Sequence, residues 1–353
     1  MTRSRALLLA VLLVAACAGG DDDTGSTSDP APPPLRMNEL QVLGSHNSYH
    51  AGLPPELLAL VTQFDRKTGE GLDYVHPPLT EQLGEQGARQ LELDVYPDPE
   101  GGLYAERRGL SLIGQPTASG IAALEEPGFK VLHAADIDFE STCLTLVACL
   151  EEVDAWSVDH PTHLPVLVLL EAKFTPTADP AGLGFVDPPD FDAATFAALD
   201  EEIRSVFDDD RLIVPADVTA EGWPLLDDAR GRILFALDND ALAPVYRGDL
   251  LFTAGNHFAK LNDPLGDAAR IRDALEQGLL VRTRADADTV QARTNDTTMR
   301  DAALASGAQF VSTDYLVPDA RFGDYSVTLP GGALARCNPV TAPPTCEDDQ
   351  LKE

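Results

Sequence analysis

The chain has 353 residues, 44% of them hydrophobic, so it can bury one large core or two modest ones. Its 58 acidic residues outnumber 25 basic residues and give a formal charge of −33. Nucleic acids and anionic membranes are bound mainly through Lys and Arg. The charge therefore argues against nucleic acid as a partner and against electrostatic docking on anionic bilayers.

The first residues have the pattern of an export signal. Arg3 and Arg5 precede the apolar stretch ALLLAVLLVAA, which is too short to span a bilayer. The small residues before Cys17 resemble the lipobox of bacterial lipoproteins, in which the Cys is lipidated and becomes the mature N-terminus. We predict a signal peptide over residues 1–16, a lipid on Cys17 and an exported, membrane-anchored protein. A plain secretory signal cut near Ala16 is the alternative.

The segment after Cys17, AGGDDDTGSTSDPAPPP, is rich in Gly, Asp and Pro. Such a composition buries little apolar area, so residues 17–36 are predicted to form a flexible tether. No linker-like break follows until the C-terminal region. We predict one domain over residues 37–335, a tail over 336–353, and a monomer.

Short apolar runs recur along the predicted domain and indicate eight strands. Several are nearly continuous Val, Leu and Ile, as in strands covered on both faces. In chain order the runs are LQVLGS, RQLELDVY, FKVLHA, LPVLVLLEAK, DRLIVP, GRILFALD, GLLVRTR and AQFVSTDY.

Helical spacing of apolar residues appears between these runs. Four helical segments are predicted, over residues 141–161, 192–207, 263–278 and 285–307. Strands alternating with helices predict an α/β fold, a TIM barrel of eight βα units whose usual size matches this span. A doubly wound open sheet is the alternative. No G-x-G-x-x-G motif follows an early strand, which weakens a dinucleotide-binding version of it.

Polar side chains close the first four predicted strands. In a TIM barrel the reactive groups lie at the carboxyl ends of the strands. Glu92 and Asp94 alternate with apolar residues, so both face the same side of their strand. Read in chain order, the strand ends carry His46 and Asn47, then Glu92 and Asp94, then His133, and then Glu171.

Each of these residues has an ordinary explanation, such as a solvated strand face or an ion pair between Glu171 and Lys173. Gathered at one end of a barrel, however, three carboxylates would repel one another unless a cation neutralised them. Oxygen donors from Asn47, Glu92, Asp94 and Glu171 suit Ca²⁺, with Mg²⁺ as the alternative. His46 and His133 would then be free for proton transfer, and a cation with two acid–base groups suits cleavage of a phosphodiester.

Other polar residues are weaker candidates. Lys173, Arg282 and Arg284 are the predicted contacts for a substrate phosphate, with surface ion pairs as the alternative. Asp314, at the end of the last strand, is a further site candidate. We expect five other histidines to be structural or exposed: His50, His76, His160, His163 and His257.

Four cysteines remain after Cys17, in two close pairs. Neither pair has the second Cys or His pair of a zinc site. We therefore predict two local disulfides, as expected in an oxidising compartment, from the pairs Cys143 with Cys149 and Cys337 with Cys346.

Several long motifs resemble the bacterial calcium-dependent phosphatidylinositol-specific phospholipase C family. They are SHNSYH, QLELDVYPDPEGGLYA, GFKVLHAADIDFESTCLTLVACL, HLPVLVLLEAK, VRTRADADTVQARTNDTTMRDAALASGAQFVSTDY and LPGGALARCNP. The resemblance implies a distorted TIM barrel of the phospholipase-C-like phosphodiesterase type, and Ca²⁺ as cofactor. It also implies cleavage of phosphatidylinositol to diacylglycerol and inositol phosphate by way of a 1,2-cyclic phosphate.

Carried over position by position, the resemblance implies that His46 and His133 are catalytic. It implies Asn47, Glu92, Asp94 and Glu171 as the metal ligands. The base that takes the 2-hydroxyl proton is then His46 or a calcium-bound carboxylate, and His46 could instead stabilise the phosphorane. His133 is the candidate for protonating the diacylglycerol oxygen.

Two other functions remain open from the sequence. One is another phosphodiesterase, since related barrels cleave glycerophosphodiesters, with water instead of an internal hydroxyl, or other phospholipids such as sphingolipids. A surface binding lipoprotein that has lost its chemistry is the non-enzymatic alternative, although the presence of both histidines and all four oxygen ligands argues against it.

Overall fold

A curled, mainly parallel β-sheet forms the centre of the protein. The structure, a computed structural model, describes residues 33–353. The strands are β1 (Leu40–Ser45), β2 (Gln90–Tyr96), β3 (Lys130–Val131), β4 (Val166–Ala172), β5 (Leu212–Ile213), β6 (Ile233–Leu237), β7 (Thr253–Ala254), β8 (His257–Lys260), β9 (Leu280–Arg284), β10 (Phe310–Thr313) and β11 (Ala335–Cys337). Their order is β5-β6-β4-β2-β1-β10-β9-β8-β7, and β3 and β11 pair antiparallel with β2 and β1.

The sheet closes where Phe252, just before β7, reaches β6, the strand that also pairs with the short β5. Phe252 forms a parallel bridge with Ala236 of β6. Its amide donates to the carbonyl of Phe235 at 2.9 Å, and its own carbonyl accepts from Leu237 at 2.8 Å. The strands therefore curl into a distorted TIM barrel, and the predicted fold class is confirmed.

Helices cover the outside of the barrel. Among residues 33–353 they are α1 (Pro55–Phe64), α2 (Arg66–Gly71), α3 (Leu79–Gly84), α4 (Leu146–Asp159), α5 (Ala193–Val206), α6 (Leu226–Ala229), α7 (Ala268–Glu276), α8 (Val290–Thr294) and α9 (Thr298–Ala305). Asp192 caps α5 by accepting from the amides of Ala194 and Thr195. None of these helices is long and apolar enough to span a bilayer.

Three predictions about elements were wrong. The run FKVLHA is not a barrel strand, because the chain turns after Val131 and the amide of Asp138 bonds back to the carbonyl of Ala134 at 2.8 Å. The strands β7 and β8 were not predicted, because the turn at Gly255 and Asn256 separates them and leaves no continuous apolar run. The segment 285–307 forms two helices because Asn295, in the left-handed conformation (φ 50°), ends α8.

Alternate residues of the central strands face opposite sides of the sheet. Val166, Val168 and Leu170 of β4 pack in the same cluster as residues of the outer helices, whereas Leu167 and Leu169 pack in a separate cluster inside the barrel. In β2 the residues that pack outward are Leu91, Leu93 and Val95. By this alternation the polar residues Glu92, Asp94 and Glu171 lie on the inward face, towards the carboxyl end of the barrel.

The ends of the domain differ slightly from the predicted boundaries. Leu35 is buried and its carbonyl accepts from Leu226 at 2.7 Å, so the fold begins before residue 37. At the other end, β11 crosses the predicted boundary at residue 335. Both predicted disulfides are present, Cys143–Cys149 and Cys337–Cys346. The predicted signal peptide, Cys17 and most of the tether lie outside the described residues.

Candidate active site

Three carboxylates meet at the carboxyl ends of β2 and β4. Asp94 lies directly opposite Glu171 in the parallel pair formed by β2 and β4. Glu92 is two residues earlier in β2 and therefore lies on the same face. One oxygen from each of the three carboxylates lies within 4.8 Å of the others. Glu92 and Asp94 are buried and Glu171 is half-buried. This is the acidic cluster that the strand-end pattern predicted.

Asn47 reaches the same end of the barrel from the loop after β1. Its backbone is left-handed (φ 46°), a conformation that Asn tolerates, and the next amide, of Ser48, donates to the carbonyl of Glu92 at 2.9 Å. The Asn47 amide nitrogen donates to the hydroxyl of Tyr74 at 3.0 Å. Its oxygen is therefore left as the free acceptor of the amide group.

Several buried oxygens at this place have no hydrogen-bond donor in residues 33–353. They are Oδ1 of Asn47 and both carboxylate oxygens of Asp94. Lys173 forms an ion pair with Asp94 at 3.0 Å, but its ammonium is not aligned to donate a hydrogen bond to it. Buried oxygens without donors are rare in folded proteins, and a bound cation would satisfy them.

The electrostatics of the cluster also fit a cation. Burial, followed by the charge of Glu171, raises the pKa of Asp94 to about 8 against the opposing effect of Lys173. Burial likewise raises the pKa of Glu92 to about 8, although Arg282 opposes the shift. Uncompensated, these groups resist ionisation at neutral pH. Hard oxygen donors in this number suit Ca²⁺ or Mg²⁺, so the residues present fit the predicted metal.

Arg282 does not have the position expected of a phosphate contact. Its side chain is fully buried and forms an ion pair with Glu92. It also donates to Oδ1 of Asn262 at 2.6 Å and to the hydroxyl of Ser312 at 3.1 Å. We therefore revise the prediction for Arg282, which holds Glu92 in place instead of facing the cavity.

His46 lies on one side of the acidic cluster and belongs to a group of three. Its Nδ1 is 2.8 Å from Oδ1 of Asp314, and Arg284 bonds to the other oxygen of Asp314 at 3.1 Å. Arg284 also donates towards Nε2 of His46 at 3.2 Å, which assigns the proton of the ring to Nδ1. Burial, followed by the Arg284 charge, lowers the pKa of His46 to about 3.

His133 belongs to a second group of three. Its Nδ1 is 2.8 Å from Oδ2 of Asp138, and the same carboxylate accepts from Nε2 of His50 at 2.8 Å. Burial alone would raise the pKa of Asp138, but the hydrogen bonds from His133 and His50 outweigh it and lower the pKa to about 2. The His133 side chain is 28% exposed, so its other nitrogen is accessible to a ligand.

The profile of one protein family matches this chain, that of the Ca²⁺-dependent phosphoinositide phospholipase C, over residues 35–339. The chain belongs to this family. It is accordingly a phosphoric diester hydrolase, and the family identified from the sequence motifs is confirmed. No curated protein matches the chain.

Solved structures with a similar fold include two enzymes of related description. A calcium-dependent phosphoinositol-specific phospholipase C from Pseudomonas sp. aligns with a TM-score of 0.48 and 16% identity, over 88% of this chain and 97% of its own. A Ca²⁺-dependent phosphatidylinositol-specific phospholipase C from Streptomyces antibioticus aligns with a TM-score of 0.45 and 17% identity, over 80% of this chain and 95% of its own.

In this member of the family His133 lies between two cavities of about 400 Å³ each. The first, on the His46 side, is lined by His46, Asn47, Tyr74, Asp288 and Asp314. The second, on the Glu171 side, is lined by Tyr96, Glu171, Lys173, Phe174 and Asn239. His46 and His133, together with two of the predicted metal ligands, Asn47 and Glu171, thus line these two cavities, and Lys173 lines the second.

Some residues of the site had no sequence signal. Tyr74 lies in the loop between α2 and α3, and its contact with Asn47 follows no strand-end pattern. His50, which we expected to be structural or exposed, is buried, bonded to Asp138 and stacked on Tyr74 at 4.4 Å between ring centroids. Asp238 and Lys260 form an ion pair at the ends of β6 and β8. Unlike Tyr74 and His50, Asp238 and Lys260 could have been predicted by examining the residues at the end of every strand.

Proposed function

We propose that this protein is a calcium-dependent phospholipase C that cleaves phosphatidylinositol to diacylglycerol and an inositol phosphate through a 1,2-cyclic phosphate. One observation carries the proposal. An acidic cluster with unsatisfied oxygens lies at the same end of the barrel as two His–Asp pairs, one with Arg284 and the other with His50 as its third member. Intramolecular attack on a phosphodiester needs a base for the hydroxyl and an acid for the leaving oxygen.

The oxygens that would hold calcium are Oδ1 of Asn47 and the carboxylates of Glu92, Asp94 and Glu171. Bound there, the ion would offset charge on the phosphoryl oxygens and lower the pKa of a coordinated hydroxyl. Arg282 opposes the rise in the pKa of Glu92 and holds the carboxylate in place, because the three contacts of Arg282 leave it no freedom to turn away. Tyr74 accepts from the Asn47 amide nitrogen, which leaves the amide oxygen as the atom available to coordinate a cation.

We assign His46 as the general base. Arg284 and burial disfavour its charged form, so Nε2 carries a lone pair throughout the neutral range. Asp314 fixes the ring through Nδ1, which leaves Nε2 as the atom that accepts the hydroxyl proton. When the substrate phosphate draws Arg284 away from Nε2, the pKa of His46 rises towards its ordinary value and the base becomes stronger.

We assign His133 as the general acid. Asp138 fixes the ring through Nδ1, and the partly exposed Nε2 is the atom that passes a proton to the leaving diacylglycerol oxygen. The second cavity, beside Lys173 and Phe174, lies on this side of the ring and would accept part of the substrate.

Phosphorus NMR of phosphatidylinositol vesicles incubated with the protein tests this proposal. With Ca²⁺ we expect a cyclic inositol phosphate resonance to appear first, and with excess chelator we expect no product. Full activity in chelator would remove the metal from the mechanism. Release of glycerol phosphate from a glycerophosphodiester, with no cyclic product, would instead indicate the glycerophosphodiesterase reaction.

We further propose that the enzyme is exported and tethered to a bacterial membrane by a lipid on Cys17. The support is the sequence of the first residues, which place a short apolar stretch and small side chains before that Cys. A Cys17→Ser variant should leave the membrane fraction and keep its activity in the soluble fraction. Unchanged fractionation would contradict a lipid anchor at this position.

A further inference from the structure

Lys173 lies within the acidic cluster itself. Its ammonium is 3.0 Å from Oδ2 of Asp94 and 3.3 Å from Oε1 of Glu171. The backbone explains this position, because the amide of Lys173 bonds to the carbonyl of Val95 at 2.9 Å and so continues β4 beside β2. Two residues after Glu171, the side chain therefore returns to the same inward face.

The contacts of Lys173 differ from those of Arg282, the other cation at the cluster. Arg282 is fully buried and held by Glu92, Asn262 and Ser312. Lys173 is 18% exposed, and within residues 33–353 its ammonium contacts no acceptor besides the two carboxylates. It also lines the second cavity, which gives its four-carbon side chain room to move.

A divalent cation coordinated by Asp94 and Glu171 would lie close to the present position of this ammonium. Two positive groups that share the same carboxylate oxygens repel each other strongly in a buried site. Both cannot keep those contacts at once. A phosphodiester bound at the cluster offers the displaced ammonium a new anionic partner within the same cavity.

We propose that Lys173 is a resident counter-ion, which occupies part of the cation site in the metal-free enzyme and transfers to the substrate phosphate when calcium binds. This inference rests on the proposed function, since it assumes that calcium binds at the cluster. It has two consequences. Lys173 weakens calcium binding in the absence of substrate, and it strengthens substrate binding once calcium is present.

Calcium titration calorimetry of the whole enzyme, without substrate, tests the first consequence. Lys173→Met removes the competing charge, so we expect calcium to bind about tenfold more tightly or better, because site charge tunes calcium affinity. Lys260→Met is the matched control. Lys260 is 24% exposed and pairs with Asp238 at the end of a nearby strand, without contacting Asp94 or Glu171. We expect a markedly smaller gain in this control.

The outcomes separate this inference from the proposed function. Calcium binding by the unaltered enzyme, with equal or weaker binding by Lys173→Met, would overturn the counter-ion role and leave the calcium site standing. An equal gain in both variants would also overturn it, because it would show a general charge effect. Absence of calcium binding in all three proteins would overturn the calcium site and this inference with it.

Steady-state kinetics at saturating calcium test the second consequence. With a soluble phosphodiester of inositol as substrate, Lys173→Met should raise KM about tenfold and lower kcat by a smaller factor, because it removes a charged contact to the phosphate. An unchanged KM would contradict the transfer to substrate, since a side chain that only fills the metal-free site would not affect binding after calcium has replaced it.

Discussion

His46 and His133 each point Nδ1 at a buried carboxylate, but the third member of each group differs. Beside His46 and Asp314 lies Arg284, whose charge disfavours a proton on the ring. Beside His133 and Asp138 lies His50, which donates to the same carboxylate and helps to keep it ionised. In the proposed mechanism, the neighbour of the carboxylate, rather than the His–Asp pair itself, distinguishes the base from the acid.

The largest expected effect comes from removing the acid. We expect His133→Ala to lower kcat by about 10³- to 10⁴-fold, because it removes the group assigned to donate to the leaving oxygen. His160→Ala is the control. It removes an exposed imidazole that stacks on Trp156, away from the site, and should leave kcat unchanged. Near-normal turnover of His133→Ala, with an unaltered melting temperature, would show that the acid is wrongly assigned.

Neutralising Asp138 and Asp314 in turn compares the two His–Asp pairs directly. Asp138→Asn should lower kcat by about 10²-fold, because the ring of His133 loses the anionic acceptor that fixes its Nδ1. Asp314→Asn removes the anion that raises the pKa of His46, so that pKa should fall further and the acid limb of kcat/KM should move to lower pH. An acid limb that moved equally in both variants would contradict separate roles for the two histidines.

Replacing Arg284 removes the positive charge that distinguishes the surroundings of His46 from those of His133. Because the Arg284 charge lowers the pKa of His46, Arg284→Met should raise that pKa and move the acid limb of kcat/KM upward from about pH 3. We expect a loss of about tenfold in kcat/KM at neutral pH, typical of one charged hydrogen bond. An acid limb that does not move would indicate a base other than His46.

The smallest effect concerns stability without metal. Glu92 and Asp94 have pKa values of about 8 in the folded protein, against 4.5 and 3.8 ordinarily. Between pH 6.5 and 8.5 the folded state therefore holds protons that the unfolded chain has lost, so stability falls as pH rises. Calorimetry in chelator should show a falling melting temperature over this range, and Asp94→Asn should flatten the slope. A rising melting temperature would contradict the raised pKa values.

Much of the barrel was predictable because its strands are continuous apolar runs. β1, β2, β4, β6, β9 and β10 all lie within predicted runs. The failures have local causes. After Val131 the chain turns back on itself instead of extending, and the residues of β7 and β8 are too few and too interrupted to form a recognisable run.

The candidate site was predictable where strand geometry alone places a residue. Glu92, Asp94 and Glu171 follow from the alternation of side chains and the strand order. The contacts of Tyr74 and His50 depend on loop conformations that no periodic pattern encodes. Likewise, nothing in the spacing of Arg282 and Arg284 indicated that one is fully enclosed while the other lies beside His46.

A crystal structure of the enzyme with calcium tests the central claim most directly. We predict one ion between His46 and His133, with oxygens of Asn47, Glu92, Asp94 and Glu171 at about 2.3–2.6 Å from it. The ammonium of Lys173 should have left Asp94. Calcium bound elsewhere, with these four oxygens remaining uncoordinated, would contradict the account.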